Sequence, residues 1–136
     1  MKVSIIVGGR FHAFNLAEEL GKKKSLHQLL TSYPKFYFKN KFDIEKKKIK
    51  SFIFKEIISR SISRIKILNQ IFNLDNFVID FFDYQASKKI DYANTDILVG
   101  WSSFSLQSFL KAKKFNCIKV LERGSTHIEF QSEILK

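Results

Sequence analysis

The chain has 136 residues, of which 45% are hydrophobic and 15% aromatic. That length suits one domain with a substantial core, and that composition excludes an intrinsically disordered chain. The formal net charge of +11 attracts phosphate-rich partners such as nucleic acid, anionic lipid headgroups or nucleotide-linked substrates. The alternative is that an AT-rich coding sequence produced the excess of Lys, together with that of Ile, Phe and Asn, without selection for binding.

The first twenty residues predict a strand, a glycine turn and a helix. The apolar run Val3–Val7 is rich in β-branched residues, which is typical of a strand covered on both faces. Gly8 and Gly9 end that run and permit a tight turn and close approach of a ligand to the backbone. Gly21 suits the left-handed position after a helix. The apolar stripe of that helix consists of Ala13, Leu16, Ala17 and Leu20.

The next fifty residues alternate between clear and unclear patterns. A second strand is predicted over Leu26–Thr31, and it ends before Pro34, which cannot donate to a ladder. Lys35–Lys50 alternates Phe with Lys and is either a short edge strand or a loop with aromatic anchors. The apolar spacing of three and four residues then predicts a helix over Ser51–Phe72, with Phe54 on its inward stripe.

The second half returns to strand and helix alternation. Asp75 or Asn76 is expected to cap a helix that runs to about Lys89. A buried strand is then predicted over Asp96–Trp101, followed by a helix that carries Leu106, Phe109 and Leu110. Ser102 or Ser103 is expected to cap that helix. A buried strand over Cys117–Leu121 comes next, and a last helix follows it, for which Thr126 and Glu129 have capping-box spacing. The alternation predicts a single Rossmann-like α/β domain over residues 1–136, with three α/β/α layers and a mainly parallel sheet.

In such folds, ligands bind outside the carboxyl ends of the strands, and three groups of residues are expected there. Backbone N–H groups of Gly8 and Gly9 near a helix N-terminus favour a phosphate, with Arg10 or His12 assisting; the alternative is a plain turn. Trp101, followed by Ser102, offers an aromatic face and a hydroxyl to a sugar ring, unless the ring belongs to the core.

The third group follows the last predicted strand. Arg123 carries a planar fork suited to phosphate or carboxylate, whereas Ser125 and Thr126 either bind a ligand or cap a helix. Three scattered histidines and one cysteine lack zinc spacing, so neither a metal nor a cofactor is expected.

Four segments resemble the N-terminal domain of a bacterial family-4-type, GT-B-fold glycosyltransferase: Gly8–His12, Leu29–Pro34, Gly100–Ser103 and, most specifically, Leu121–Ile128. The resemblance implies a retaining, metal-independent transfer of a hexose from a nucleotide-sugar donor to an acceptor. It implies that this domain binds the acceptor, while a C-terminal domain binds the nucleotide and carries a pair of glutamates.

The resemblance also implies roles for individual residues. His127 would act in catalysis, by hydrogen bonding to a sugar hydroxyl or to the donor phosphate. The residues with an implied substrate-binding role are Gly8, Gly9, Arg10, Trp101, Ser102, Arg123, Gly124 and Ser125.

Partners and location are expected as follows. Because the chain ends at Lys136, near where the second domain of the family would begin, activity is expected to require a donor-binding domain from elsewhere, as in a truncated or split gene product. The acceptor is expected to be a cell-envelope or lipid-linked sugar. Lys35–Lys66 holds eleven basic and three acidic residues, which suits an anionic membrane at roughly 1 kcal/mol per well-placed cation, or is simply a solvated face.

Two other functions stay open. One is a non-enzymatic module that binds a membrane surface or nucleic acid, although no helix-turn-helix or RNA-recognition motif is visible, so nucleic acid is the less favoured partner. The other is a folded remnant without activity. The single Cys117 fits a reducing compartment, so a cytoplasmic location is expected, with peripheral contact at the inner face of the membrane.

Overall fold

The structure is a computed structural model that describes residues 1–9, 12–62 and 74–123, with side chains described there except at 59–62, 74 and 75. These residues form five strands and four helices. The strands are β1 (Val3–Val7), β2 (Leu26–Thr31), β3 (Ile49–Ser51), β4 (Ile97–Trp101) and β5 (Ile118–Glu122). The helices are α1 (Ala13–Lys22), α2 (Phe54–Ile62), α3 (Leu74–Lys89) and α4 (Leu106–Ala112).

The strands form one sheet in the order β3-β2-β1-β4-β5, and every neighbouring pair is parallel. Ser4 of β1 lies opposite Gln28 on one side and Leu98 on the other, so β1 occupies the centre of the sheet. The predicted Rossmann-like α/β fold with a parallel sheet is therefore confirmed.

The two faces of the sheet are covered by different helices, which gives the predicted three layers. Successive β1 side chains point to opposite faces. Ile5 belongs to a buried cluster with Phe14 of α1, whereas Ile6 belongs to a second cluster with Phe82 of α3 and Ala112 of α4. Both clusters include side chains of β1, so the centre of the sheet is buried between the two helical layers.

The segment between β2 and β3 is a loop with aromatic anchors, which confirms one of its two interpretations. Its short 3-10 turns lie at Lys35–Phe38 and Lys46–Lys48, and β3 follows directly as an edge strand. The ring of Phe14 is the common contact for the anchors, with centroids 4.7 Å from Phe38 and 5.6 Å from Phe42. The loop is thus attached to α1 through aromatic contacts.

The end of α1 differs from the sequence prediction. Gly21 lies inside the helix, and Lys24 takes the left-handed conformation with φ 57°. The N–H of Lys24 donates to the carbonyl of Gly21, and the N–H of Ser25 donates to that of Leu20, which is the Schellman pattern. The helix thus continues past Gly21, because the turn into β2 begins three residues later.

The predicted boundaries of the next two helices also need correction. Ser51 belongs to β3, where it pairs with Thr31 of β2, so α2 begins only at Phe54. The side chain of Phe54 is 69% exposed and does not face the core. The part of the predicted helix from 63 to 72 lies outside the described residues. Helix α3 already begins at Leu74, so Asp75 and Asn76 lie within it; its end at Lys89 is as predicted.

The last predicted elements are partly wrong. Ser105 precedes α4, so neither Ser102 nor Ser103 is its cap. Strand β5 lies one residue later than predicted. Its side chains are exposed rather than buried, because among the described residues none of them belongs to either buried cluster; Ile118 is 63% exposed. The predicted final helix around Thr126 lies outside the described residues. Within the described ranges, no helix is long and apolar enough to cross a membrane.

Candidate functional site

Polar or aromatic side chains lie at or beyond the carboxyl ends of four of the five strands, and Gly8 follows β1. Because the strands are parallel, these ends meet at one edge of the sheet, where ligands of α/β proteins bind. We call this edge the carboxyl edge. In the order of the strands across the sheet, its residues are Glu56 beyond β3, Ser32 after β2, Gly8 after β1, Trp101 at the end of β4 and Glu122 at the end of β5.

Ser32 joins three elements at this edge. Its hydroxyl oxygen is fully buried and lies 3.0 Å from the carbonyl oxygen of Gly8 and 2.7 Å from Oε1 of Glu56. A hydroxyl has one proton, so it donates to one of these oxygens at a time. Lys55 Nζ lies 3.4 Å from the same carboxylate oxygen. The serine therefore connects the β1 turn to the first residues of α2.

Gly8 is required by the packing of Phe104. A Cβ atom placed on Gly8 would lie 2.1 Å from a ring carbon of Phe104, a distance that no real contact reaches. The ring lies between the ends of β1 and β4, where the connections change from one face of the sheet to the other. The approach of a phosphate to the N–H groups of Gly8 and half-buried Gly9 stays a prediction.

Trp101 lies between the core and a pair of ionisable groups. Its side chain is 1% exposed and belongs to the cluster beneath α1, but its ring also meets that of His12, with centroids 5.2 Å apart. His12 Nε2 lies 3.8 Å from Glu122 Oε2, which permits an ion pair when the imidazole is protonated but is too long for a hydrogen bond. Among the described residues, the indole N–H of Trp101 has no hydrogen-bond partner.

The structure brings together part of the set of residues that the sequence analysis selected. Gly8, Trp101 and Ser102 lie at the carboxyl edge, and the N–H of Ser102 donates to the carbonyl of Glu122 at 2.9 Å. Arg123 follows β5 with its side chain exposed. Four selected residues lie outside the described ranges, namely Arg10, Gly124, Ser125 and His127.

Three residues of this edge were not predicted as site residues from the sequence, namely Ser32, Glu56 and Glu122. Ser32 lies within one of the segments that carry the resemblance, which was an available signal. Glu56 was counted only as a charge in the Lys-rich region, and Glu122 only as part of the last motif. Nothing in their local sequence indicates that Glu56 meets Ser32 or that Glu122 meets His12, because both contacts arise from the sheet order.

A groove opens beside Glu56 at the same edge. Its volume is about 290 Å³. The lining residues are Tyr33, Pro34, Phe36, Tyr37, Ile53, Glu56 and Ile57, and we call it the aromatic groove. A second groove of about 490 Å³ lies on the other side of Ile53, between the start of α2 and α3, and is lined by Phe54 and Phe81 among others. Ile53 lines both grooves.

Two further findings limit the chemistry that can be assigned. In the part of the chain that the structure describes, no group of His, Cys, Asp and Glu residues is placed to hold a metal ion. A scan against protein-family models and searches of curated proteins and of solved structures each found no match to this chain. The fold and the side chains of the carboxyl edge therefore provide the basis for a functional proposal.

Proposed function

We propose that this chain is the acceptor-binding half of a nucleotide-sugar-dependent glycosyltransferase that transfers a hexose to a cell-envelope or lipid-linked acceptor. A further domain or partner chain supplies the nucleotide-sugar site. The resemblance of Gly8–His12 and Leu121–Ile128 to such enzymes motivates the proposal, and the parallel sheet in the order β3-β2-β1-β4-β5 is compatible with it.

The observation that carries the proposal is the composition of the carboxyl edge. A sugar presents several hydroxyl donors and an apolar C–H face. The edge offers the carboxylates of Glu56 and Glu122 and the aromatic groove. Carboxylates accept short, charge-assisted hydrogen bonds, and aromatic faces present an electron-rich surface to C–H groups. This combination suits a carbohydrate better than it suits an extended nucleic acid.

An anionic membrane surface is the second partner in the proposal. Phe36 and Phe54 are 78% and 69% exposed, and Ile57 is also exposed, so an apolar surface is presented beside a Lys-rich segment. Apolar side chains that enter the interface and cations that meet anionic headgroups act together in such binding. A cytoplasmic location at the inner face of the membrane follows from this part of the proposal.

The test uses the single tryptophan as a reporter. In ¹⁵N-labelled protein, Trp101 gives one indole N–H signal, and it comes from the carboxyl edge. We expect methyl β-glucopyranoside at millimolar concentration to shift this signal and the backbone signals of Gly8 and Ser32. The Ser32→Ala variant should weaken these shifts, whereas Ser25→Ala, at the other end of the sheet, should leave them unchanged.

Two other ligands separate the alternatives. A single-stranded oligonucleotide that binds in a salt-dependent manner, with no response to any glycoside, would favour the nucleic-acid-binding module. Binding to vesicles with anionic but not neutral headgroups, reduced by Phe54→Ser, would support the membrane partner. If neither glycosides nor vesicles bind, the proposal is wrong.

A further inference from the structure

We infer that the edge of the sheet opposite the carboxyl edge binds the phosphate backbone of a double-stranded nucleic acid without reading its bases. We call it the amino edge, and it consists of the residues that lead into the five strands, namely 1–2, 19–25, 43–48, 86–96 and 109–117. This inference is independent of the proposed function, whose site lies at the carboxyl edge.

The topology places lysines at the start of every strand. Because the strands are parallel, their amino ends meet at one edge, and α1, α3 and α4 also end there. Twelve lysines against five carboxylates give the amino edge a net charge of +7, out of +11 for the whole chain. In the order of the strands across the sheet, the lysines are Lys46, Lys47 and Lys48 before β3, Lys22, Lys23 and Lys24 before β2, Lys2 before β1, Lys88 and Lys89 before β4, and Lys111, Lys113 and Lys114 before β5.

The carboxylates of the amino edge pair with few of these lysines. Glu19 lies 2.7 Å from the ammonium of Lys22, and Glu45 lies 2.8 Å from those of Lys47 and Lys48. The other nine lysines of the edge are all exposed, and among the described residues none of them has a carboxylate oxygen within 4.0 Å. Most of the positive charge therefore faces solvent without a neutralising partner.

Helix dipoles balance only a small part of this charge. The C-terminus of a helix is equivalent to about half a negative charge and favours cations in its last turn. The ends of α1, α3 and α4 together balance about 1.5 positive charges at the amino edge. Several positive charges are left to repel one another, and a polyanion relieves that repulsion.

The length and charge of the amino edge match a duplex. Five strands about 4.8 Å apart span about 19 Å. A duplex carries one phosphate charge per roughly 1.7 Å of its axis, so a segment of this length presents about eleven negative charges. All twelve basic residues of the edge are lysines, which meet phosphates as point charges and lack the planar fork with which arginine reads guanine. We therefore expect no selection of base sequence.

A membrane surface fits the amino edge less well than a duplex does. Surfaces that bind a bilayer combine cations with apolar side chains that enter the interface. The strongly exposed rings of Phe36 and Phe54 follow the carboxyl ends of β2 and β3, on the other side of the sheet from the lysines. The fold also divides the Lys-rich stretch of the sequence, because Lys35 follows β2 whereas Lys46 precedes β3. The amino edge thus has the charge of a polyanion-binding surface without those rings.

The experiment measures the binding of a fluorescein-labelled DNA duplex of about 20 base pairs by fluorescence anisotropy. We expect a dissociation constant in the micromolar range at about 50 mM NaCl, and at least about tenfold weaker binding at about 200 mM, as the release of counterions from two or more phosphates requires. A second duplex of unrelated sequence should bind within about twofold of the first, because lysine contacts to phosphate carry no sequence information.

Two double variants with the same change in net charge locate the surface. Lys113→Gln with Lys114→Gln removes two exposed lysines of the amino edge, and binding should weaken by about three- to tenfold with a smaller dependence on salt. Lys35→Gln with Lys39→Gln removes two exposed lysines that follow β2, and binding should change by less than about twofold. Circular dichroism checks that both variants are folded.

An independent measurement uses ¹⁵N-labelled wild-type protein. The unlabelled duplex should shift the backbone signals of Lys23, Lys89 and Lys114, and it should leave those of Ser32 and the Trp101 indole unchanged. Shifts centred on Ser32 instead, or an equal loss of affinity in the two double variants, would overturn the inference, because binding would then follow the carboxyl edge or the net charge of the chain.

The remaining outcomes separate nucleic acid from a membrane and from the proposed function. If phosphatidylglycerol vesicles bind with the same dependence on Lys113 and Lys114 while the duplex does not bind, the amino edge is a membrane surface and the inference is wrong. No change in anisotropy at about 100 µM protein, the weak limit of non-specific binding, also overturns it. The response of the carboxyl edge to a glycoside is measured without DNA, so the proposed function stands or fails separately.

Discussion

Replacing Asp83 by alanine is expected to destabilise the protein by about 1–4 kcal/mol, because the carboxylate of Asp83 on α3 caps the start of α4. Asp83 is 3% exposed. Its Oδ2 accepts the N–H of Gln107 at 2.5 Å, and its Oδ1 accepts the N–H of Ser108 at 3.2 Å and the hydroxyl of Ser108 at 2.5 Å. Ser105, which precedes α4, makes no capping hydrogen bond with its side chain.

The magnitude follows from two contributions. Loss of an N-terminal cap costs about 0.5–2 kcal/mol, and a buried donor left without a partner costs about 1–3 kcal/mol. The two contributions overlap, since some of the same N–H groups are counted in each, so the combined cost is placed at about 1–4 kcal/mol. In the Asp83→Ala variant, α4 also loses its hydrogen bonds to α3. The loop that holds Phe104 against Gly8 is then less well anchored.

Urea unfolding followed by circular dichroism measures this change. Asp80→Ala is the matched control, because Asp80 lies one turn earlier on the same helix with its side chain exposed; it should change the free energy of unfolding by less than about 0.5 kcal/mol. Ser108→Ala combined with Asp83→Ala should cost less than the sum of the two single changes, since both remove the same hydrogen bond. A value for Asp83→Ala within about 0.5 kcal/mol of the control would refute cross-helix capping.

Three further predictions concern stability. Gly8→Ala should lower the free energy of unfolding in urea by about 1–3 kcal/mol, because its Cβ would overlap the ring of Phe104. In the Phe104→Ala background the same change should cost less, and an equal cost in both backgrounds would contradict this reason. Gly21→Ala should stabilise the protein by about 0.5–1 kcal/mol, because Gly21 is helical and the new Cβ would contact a carbonyl oxygen of Asp43 at an ordinary distance of 3.7 Å. A loss of stability in this variant would indicate that Gly21 has the left-handed conformation predicted from the sequence. Burial raises the pKa of Asp83, so the folded state holds the carboxyl proton of Asp83 more tightly than the unfolded state does. The resulting contribution to stability is present below pH about 4 and is lost as the pH rises through the pKa of the folded state. Asp83→Asn should therefore reduce the fall in stability with rising pH, and an unchanged slope would argue against this assignment.

The first two strands could be predicted from local sequence because their side chains are buried on both faces of the sheet. Val3–Val7 and Leu26–Thr31 were predicted with the bounds that the structure has. A run of apolar residues of strand length has few other ways to be covered, and Pro34 marks the end of the second run. The α/β alternation follows from the same patterns.

Helix ends were predicted less well, because the partners of the terminal N–H groups are distant in sequence. Ser102 and Ser103 have the residue type of a cap, but Asp83, on another helix, accepts the N–H groups of Gln107 and Ser108. A local pattern cannot show a cap that lies more than twenty residues away.

The residues of the candidate site could also be predicted only in part from the sequence. The sequence by itself indicated that Gly8, Trp101 and Ser102 follow strands, because strand ends can be recognised from where apolar runs stop. Only the tertiary structure decided that Ser32 meets Glu56, since that contact requires β3 to pair with β2 and α2 to start beyond it. Sheet order is set by the packing of helices on two faces, which depends on the whole chain and leaves no mark on a single segment.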